Sequence, residues 1–145
     1  MELLEKILEK ENLNKAYKHV KANQGAPGVD GITVDEANDF IIQNKEKLLH
    51  QMRKRTYKPQ PVRRVQIPKE NGKMRNLGIP TVFDRIIQQA MVQILSPIFE
   101  EQFSETSYGF RPGRCCENAV VKALEYLNDG YEWIVDINLE RFFDT

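Results

Sequence analysis

An α+β fold is expected for this chain, on three observations. Four stretches place apolar residues at helical spacing, and two short alternating runs flank an Asn71-Gly72 dipeptide. A late apolar run, "YEWIVDI", reads as a buried strand.

Taken in order, Leu3, Leu4, Ile7, Leu8, Ala16, Tyr17 and Val20 predict one helix or two short ones up to about Lys21. "NQGAPGVDG" follows, with three glycines and a proline in nine residues, and predicts an exposed loop. In "TVDE", Thr33 can cap a second helix while Glu36 reaches back to it. That helix should turn Phe40, Ile41, Leu48, Leu49 and Met52 inward and end at "YKPQPV", where Pro59 and Pro61 remove donors. "RVQI" and "MRNLGI" then form a hairpin about "KENGK". Thr81 and Asp84 cap a third helix whose wide apolar face, from Ile86 to Phe99, is expected in the core, with Pro97 near its end. After the irregular "SETSYGFRPGR", a fourth helix runs from about Cys115 to Asn128 and stops at Gly130.

The chain has 145 residues, the size of one domain or part of a larger protein, and its 21 basic and 21 acidic residues cancel. Their distribution is uneven. From Gln51 to Arg75, nine cations face the single anion Glu70, a local charge of +8. Such a field favours a polyanion or a phosphate, although a solvated basic face gives the same count. The adjacent Cys115 and Cys116 offer no metal spacing and read as reduced thiols. The N-terminus is acidic and amphipathic, unlike a targeting peptide, and no apolar run is long enough to cross a membrane; a soluble, cytoplasmic protein without a membrane partner is expected.

Three places carry chemistry. On the hairpin, Lys69 and Arg75 straddle the turn and Arg63 stands at the far end of the first strand, a compact set of donors for phosphate oxygens. Charged residues that discourage edge pairing account equally well for the same positions. "YGFRPGR" alternates rings with Arg and Gly, which suits stacking on bases, or equally anchoring of a turn in a core. In "IVDINLERFFD", Asp136 and Asn138 fall on one side of the expected strand, and Asp136 is of the type that binds Mg²⁺, though two-metal chemistry needs more than one acid.

The ordered stretches "QGAPGVDGITV", "YKPQPVRRVQIPKENGKMRNLGIPTVFDRIIQQAMVQILSPIFE", "SYGFRPGR" and "WIVDINLERFFDT" resemble the N-terminal half of group II intron reverse transcriptases, also called maturases. The resemblance implies the fingers subdomain of a right-hand polymerase, in which helices pack with an antiparallel β-ribbon and the first palm strand lies at the C-terminus. It divides the chain into an N-terminal helical extension and template-contacting loop (1–34), fingers (35–130) and the start of the palm (131–145). It makes Lys69 and Arg75 the clamp on the triphosphate of an incoming dNTP, with Arg63 beside it as a further dNTP-binding residue, and Phe143 the residue screening the sugar 2′ position. Gly25, Gly28 and Gly31 would let the loop backbone approach RNA, Arg111 and Arg114 match template-contacting positions, and the basic stretch through Arg53, Lys54, Arg55 and Arg64 is expected on intron RNA.

At the position of the family's metal-binding aspartate this sequence has Asn138, an amide without carboxylate charge, with Asp136 as companion acid. The family's later acidic turn falls beyond Thr145, so a chain of this length is expected not to polymerise alone. Two functions follow from the resemblance. One is part of an RNA-directed DNA polymerase and maturase that binds intron RNA, template, primer and dNTP, uses Mg²⁺, and assists splicing and retromobility. The other is a splicing maturase that kept RNA binding and lost copying. A nucleic-acid-binding domain unrelated to polymerases is a third, weaker reading, and the apolar surface that a palm would cover admits a homodimer.

Overall fold

The N-terminal helical pattern is realised as two helices, α1 (Leu3–Leu8) and α2 (Lys10–Asn23), broken at Glu9, whose backbone is extended at ψ 138°. The computed structural model describes residues 3–68, 70 and 72–139. After α2 come α3 (Ala37–Arg53), β1 (Arg63–Pro68), β2 (Met74–Ile79), α4 (Val82–Glu100) and α5 (Cys116–Asn128), so the α+β expectation holds, with five helices and one two-stranded antiparallel ribbon among the described residues. The chain divides into two compact units, Met1–Phe99 and Glu100–Thr145.

In the first unit the apolar faces of four helices meet. Ile7, Leu8, Ala16, Val20, Ala37, Met52, Val82, Ile86, Ile87 and Ala90 are buried, and Val34 joins them from the turn before α3. Full burial of an aliphatic side chain of this kind is worth about 1.5–3 kcal/mol. Polar bonds set the register. Asn12 donates through Nδ2 to the carbonyls of Ile7 (2.9 Å) and Ala90 (3.0 Å), and Gln93 Nε2 donates to Asn12 Oδ1 (2.6 Å), which pins the start of α2 to α4.

Both predicted caps form. Thr33 N donates to Glu36 Oε2 (3.0 Å) and Glu36 N to Thr33 Oγ1 (3.3 Å), one turn ahead of the regular part of α3. Thr81 Oγ1 donates to Asp84 Oδ2 (2.7 Å) and accepts from Asp84 N (3.1 Å). Helix α3 ends before the prolines expected to stop it. Arg55 takes the left-handed φ of 56°, and Thr56 N turns back to Gln51 O (2.9 Å), which closes the helix at Arg53.

Asp84 also gathers partners from far away in sequence. Its Oδ1 accepts the Tyr57 hydroxyl (2.6 Å) and its Oδ2 the Gln60 backbone N–H (3.1 Å), while Thr81 and Asp84 are 2% and 4% exposed. The Tyr57 ring meets Phe83 edge-on at 5.7 Å. The loop between α2 and α3 docks beside this cluster. Gly28 lies so close that a Cβ there would stand 2.6 Å from Thr81 Cα, and Arg85 donates to the carbonyls of Ala26 (2.9 Å) and Gln24 (3.4 Å). The loop expected to be exposed is therefore held at its centre.

Two expectations are corrected. Met91, Ile98 and Phe99 are 38%, 45% and 49% exposed, so only the first half of α4 is core: the helices packed on it end their buried contacts near Ala90 and Ile94. Residues 131–139 form no strand, and Trp133 to Ile137 carry their apolar side chains in solvent. A strand needs a hydrogen-bonded neighbour, which apolar composition cannot supply, and none pairs with this segment among the described residues. The expected first palm strand is thus absent from the described residues. Helix α5 forms where expected and stops at Gly130 (φ 91°), yet none of its residues is buried.

Two predictions follow from this packing. Gly28→Ala forces a Cβ into the Thr81 backbone and should destabilise the first unit by about 1–3 kcal/mol, read as a lower denaturant midpoint at unchanged m. Burial first, then the bond to Asp84, raises the Tyr57 pKa well above that of an ordinary phenol. Its contribution to stability is complete below the unfolded tyrosine value of about 10 and declines as pH rises beyond it. In an absorbance titration, Tyr57→Phe should remove the last-ionising component; loss of an early component instead would contradict the assignment.

A cationic ribbon and its root as the candidate functional site

The ribbon pairs Arg63 with Ile79, Val65 with Leu77 and Ile67 with Arg75 on one face, and Arg64 with Gly78, Gln66 with Asn76 and Pro68 with Met74 on the other. Alternation thus puts Arg63 and Arg75 on the same side, with Val65, Ile67, Leu77 and Ile79 as an apolar bed between them. They stand four ladder positions apart, roughly 13 Å at 3.3 Å per residue. Arg64 points to the opposite, polar face, where Gln66 Nε2 reaches Asn76 Oδ1 at 3.5 Å. Gly78 leaves room for Val62, whose Cγ2 would lie 2.8 Å from a Cβ at that position.

Apart from the half-buried root residues Arg63 and Ile79, every residue of β1 and β2 is exposed. Arg63 Nε is buried without a hydrogen-bond partner among the described residues. The ribbon therefore offers the Arg64 and Arg75 side chains to solvent, with Arg63 half-buried at its root, from a scaffold fixed at one end, an arrangement suited to phosphate oxygens. Lys69 and Phe143, expected beside the same ligand, lie outside the described residues.

The other expected RNA-contacting groups divide. Arg53 Nε forms a half-exposed ion pair with Glu5 at 3.1 Å, which takes part of its charge. Lys54 and Arg55 are exposed at the end of α3. Around the loop, Gly25 (φ 109°) passes over Arg85, where a Cβ would meet Nη1 at 2.7 Å; Gly28 serves packing against Thr81; Gly31 (φ 71°) has open space where a side chain would be. Arg85 was not among the sequence candidates. The available signal was a cation in the first turn of a helix, where the macrodipole disfavours it, so a specific partner was to be expected.

In the second unit, the Arg111 side chain turns inward. Its side chain is 7% exposed; Nη2 and Nε engage Glu100 at 2.7 and 3.1 Å, and Nη1 donates to Ser104 O (2.7 Å) and Ser107 O (2.9 Å). It also lies 5.1 Å from the Phe103 ring centre. The physical reason is that a guanidinium near free carbonyls and a carboxylate closes a turn as readily as it meets a phosphate. Arg114 lies over Tyr108 at 5.4 Å and donates to Glu105 O. Phe110 keeps a left-handed φ of 58° with its ring fully exposed. Cys115 and Cys116 are free thiols, as expected, and Cys115 N is capped by Asn118 Oδ1 at 3.0 Å.

Asp136 and Asn138 are exposed on the irregular 131–139 segment. Among the described residues, no three His, Cys, Asp or Glu side chains gather to hold a metal ion. Asp136 supplies one carboxylate on this segment and Asn138 an amide oxygen, and two-metal chemistry needs more than one acid. No described helix is long and apolar enough to cross a membrane.

The family described as reverse transcriptase (RNA-dependent DNA polymerase) matches residues 67–145. The chain is 38% identical to protein YkfC of Escherichia coli (strain K12), over 99% of this chain and 39% of that protein. It is 41% identical to the group II intron-encoded protein LtrA of Lactococcus lactis subsp. cremoris, over 90% of this chain and 22% of that one. Nuclear intron maturase 2, mitochondrial, of Arabidopsis thaliana is 41% identical over 45% of the chain and 9% of its own length. The chain thus spans well under half the length of these curated relatives.

The Arg111–Glu100 pair predicts a pH-sensitive turn. The hydrogen bond from Arg111 holds the Glu100 carboxyl below its ordinary range. Its contribution is present above the unfolded value of about 4.3 and is lost as pH falls through the folded one. Protection of the Ser107 and Arg114 amides, measured against the intrinsic exchange rate at each pH, should fall on acidification, and Glu100→Gln should abolish that dependence.

Proposed function

The chain belongs to the reverse transcriptase (RNA-dependent DNA polymerase) family, and from that premise we propose that it forms the fingers of a right-hand polymerase encoded by a group II intron. In this reading, residues 1–34 are the helical extension and template loop, 35–130 the fingers and 131–145 the start of the palm. A full-length protein carrying this segment copies RNA into DNA and binds its intron RNA in splicing and retromobility, in the cytoplasm.

The observation that carries the proposal is the one-sided placement of Arg63 and Arg75 on an exposed ribbon. Their guanidinium groups neutralise and orient the triphosphate of a dNTP, Lys69 adds a point charge from the turn, and the apolar bed of Val65, Ile67 and Leu77 supplies a surface without competing donors. Orientation of this kind lowers the barrier to phosphoryl transfer by fixing the reacting phosphorus against the primer end. The exposed cations Lys54, Arg55 and Arg64 contact RNA phosphates. Phe143 selects the sugar. The family suggests a divalent metal, Mg²⁺ in this proposal, which the described residues do not hold.

Asn138 favours a second reading, a splicing maturase that binds RNA without copying it, because an amide stands where the family has an acid. Template-dependent DNA synthesis by the full-length protein separates the two.

In an active full-length protein, Arg75→Ala and Lys69→Ala should raise the nucleotide KM about tenfold or more while RNA affinity changes little. A larger effect on RNA affinity than on KM would reassign both residues to RNA. Replacing Lys54, Arg55 and Arg64 by Gln should flatten the salt dependence of intron binding, by about one unit of slope for each phosphate no longer neutralised; an unchanged slope would remove them from the interface.

A further inference from the structure

We propose that Asp84 is a positioning residue that sets the direction of the cationic ribbon, and through it the fit to a nucleoside triphosphate; the inference rests on the nucleotide-clamp reading above. Both chain ends of the ribbon converge on this one carboxylate. Gln60 N, three residues before β1, and Thr81 Oγ1, two residues after β2, donate to Oδ2 at 3.1 and 2.7 Å, and Tyr57, on the incoming segment, donates to Oδ1 at 2.6 Å.

Between these two fixed ends the strands make little contact with anything else. Only Arg63 and Ile79 are even half-buried, so orientation is decided at the root and not along the ribbon. Six residues of strand extend about 20 Å, and a tilt of about 10° at the base would move the far end by roughly 3 Å. A charge-assisted hydrogen bond spans about 2.7–2.9 Å, so a guanidinium displaced that far no longer reaches the same phosphate oxygen and the nucleotide binds more weakly. The carboxylate is suited to the task because two oxygens can take several donors at once, and burial keeps water from replacing any of them.

The test uses two measurements. In a Cys115→Ser/Cys116→Ser background, spin labels at Gln66→Cys on the ribbon and Gln88→Cys on α4 report the distance between ribbon and helix. With Asp84 intact the distribution should be narrow; Asp84→Ala should broaden or shift it, and Tyr57→Phe, which removes one donor and spares the helix cap, should do so to a smaller degree. If Asp84→Ala does not fold, by loss of helical circular dichroism, Tyr57→Phe carries the test. In an active full-length protein the same substitutions should raise the dNTP KM, about tenfold for Asp84→Ala, with kcat and RNA affinity within about twofold.

Unchanged spin distances in the variants would overturn the proposal. So would a shifted distance with unchanged KM, provided that Arg75→Ala raises KM. If Arg75→Ala itself leaves KM unaltered, the nucleotide-clamp reading falls, and with it the link to the triphosphate; the spin distances still decide whether Asp84 orients the ribbon.

Discussion

A single buried carboxylate connects most of what matters in the first unit. Asp84 caps its own helix through Thr81, accepts a hydroxyl and a backbone N–H from the segment leading into the ribbon, and lies where the glycine loop packs down. Taking a carboxylate out of water is costly, and the cost is offset only when its oxygens are saturated with donors. Here three donor groups from two parts of the chain do so, and the first turn of α4 adds its positive end. The core beneath would hold α2, α3 and α4 together by apolar burial alone. Burial is not directional, however, and the hydrogen bonds to Asp84 decide where the ribbon leaves that core.

The loop and the ribbon are thereby coupled. Gly28 touches the backbone of Thr81, the residue that caps α4, and Arg85, the next residue after Asp84, holds the loop carbonyls on either side of Gly25. Two adjacent side chains, an acid and a base, thus serve two different segments: the acid orders the ribbon, the base orders the loop. Glycine is required at 28 by close approach to the Thr81 backbone and favoured at 25 by its φ of 109°, which adds a folding reason to the RNA-facing one that the family resemblance suggests.

What the sequence made legible was mostly local. The Thr33–Glu36 and Thr81–Asp84 caps span three residues and are written in residue types, and the two strands follow from alternation, but not their register: a two-residue Asn71-Gly72 turn would set Ile67 opposite Asn76, and the strands set it opposite Arg75. The Tyr57–Asp84 bond joins residues 27 apart, and neither periodicity nor composition reports such a partner. Arg111 illustrates a different limit: a guanidinium beside aromatic residues suits RNA by type, but only the folded arrangement shows its donors consumed by Glu100 and two carbonyls. The segment 131–139 failed for a third reason. Its apolar content describes what it could bury, whereas strand formation depends on a neighbour that lies elsewhere. The family resemblance succeeded where single residues did not, because the order of many short motifs is more specific than any one of them.

Arg55 closes α3 in a left-handed conformation that glycine adopts freely and that costs other residues about 1 kcal/mol or more. Folding alone would choose glycine there. A long, exposed cationic side chain stands in its place, so this bend carries a positive charge at the cost of a strain that glycine would not have.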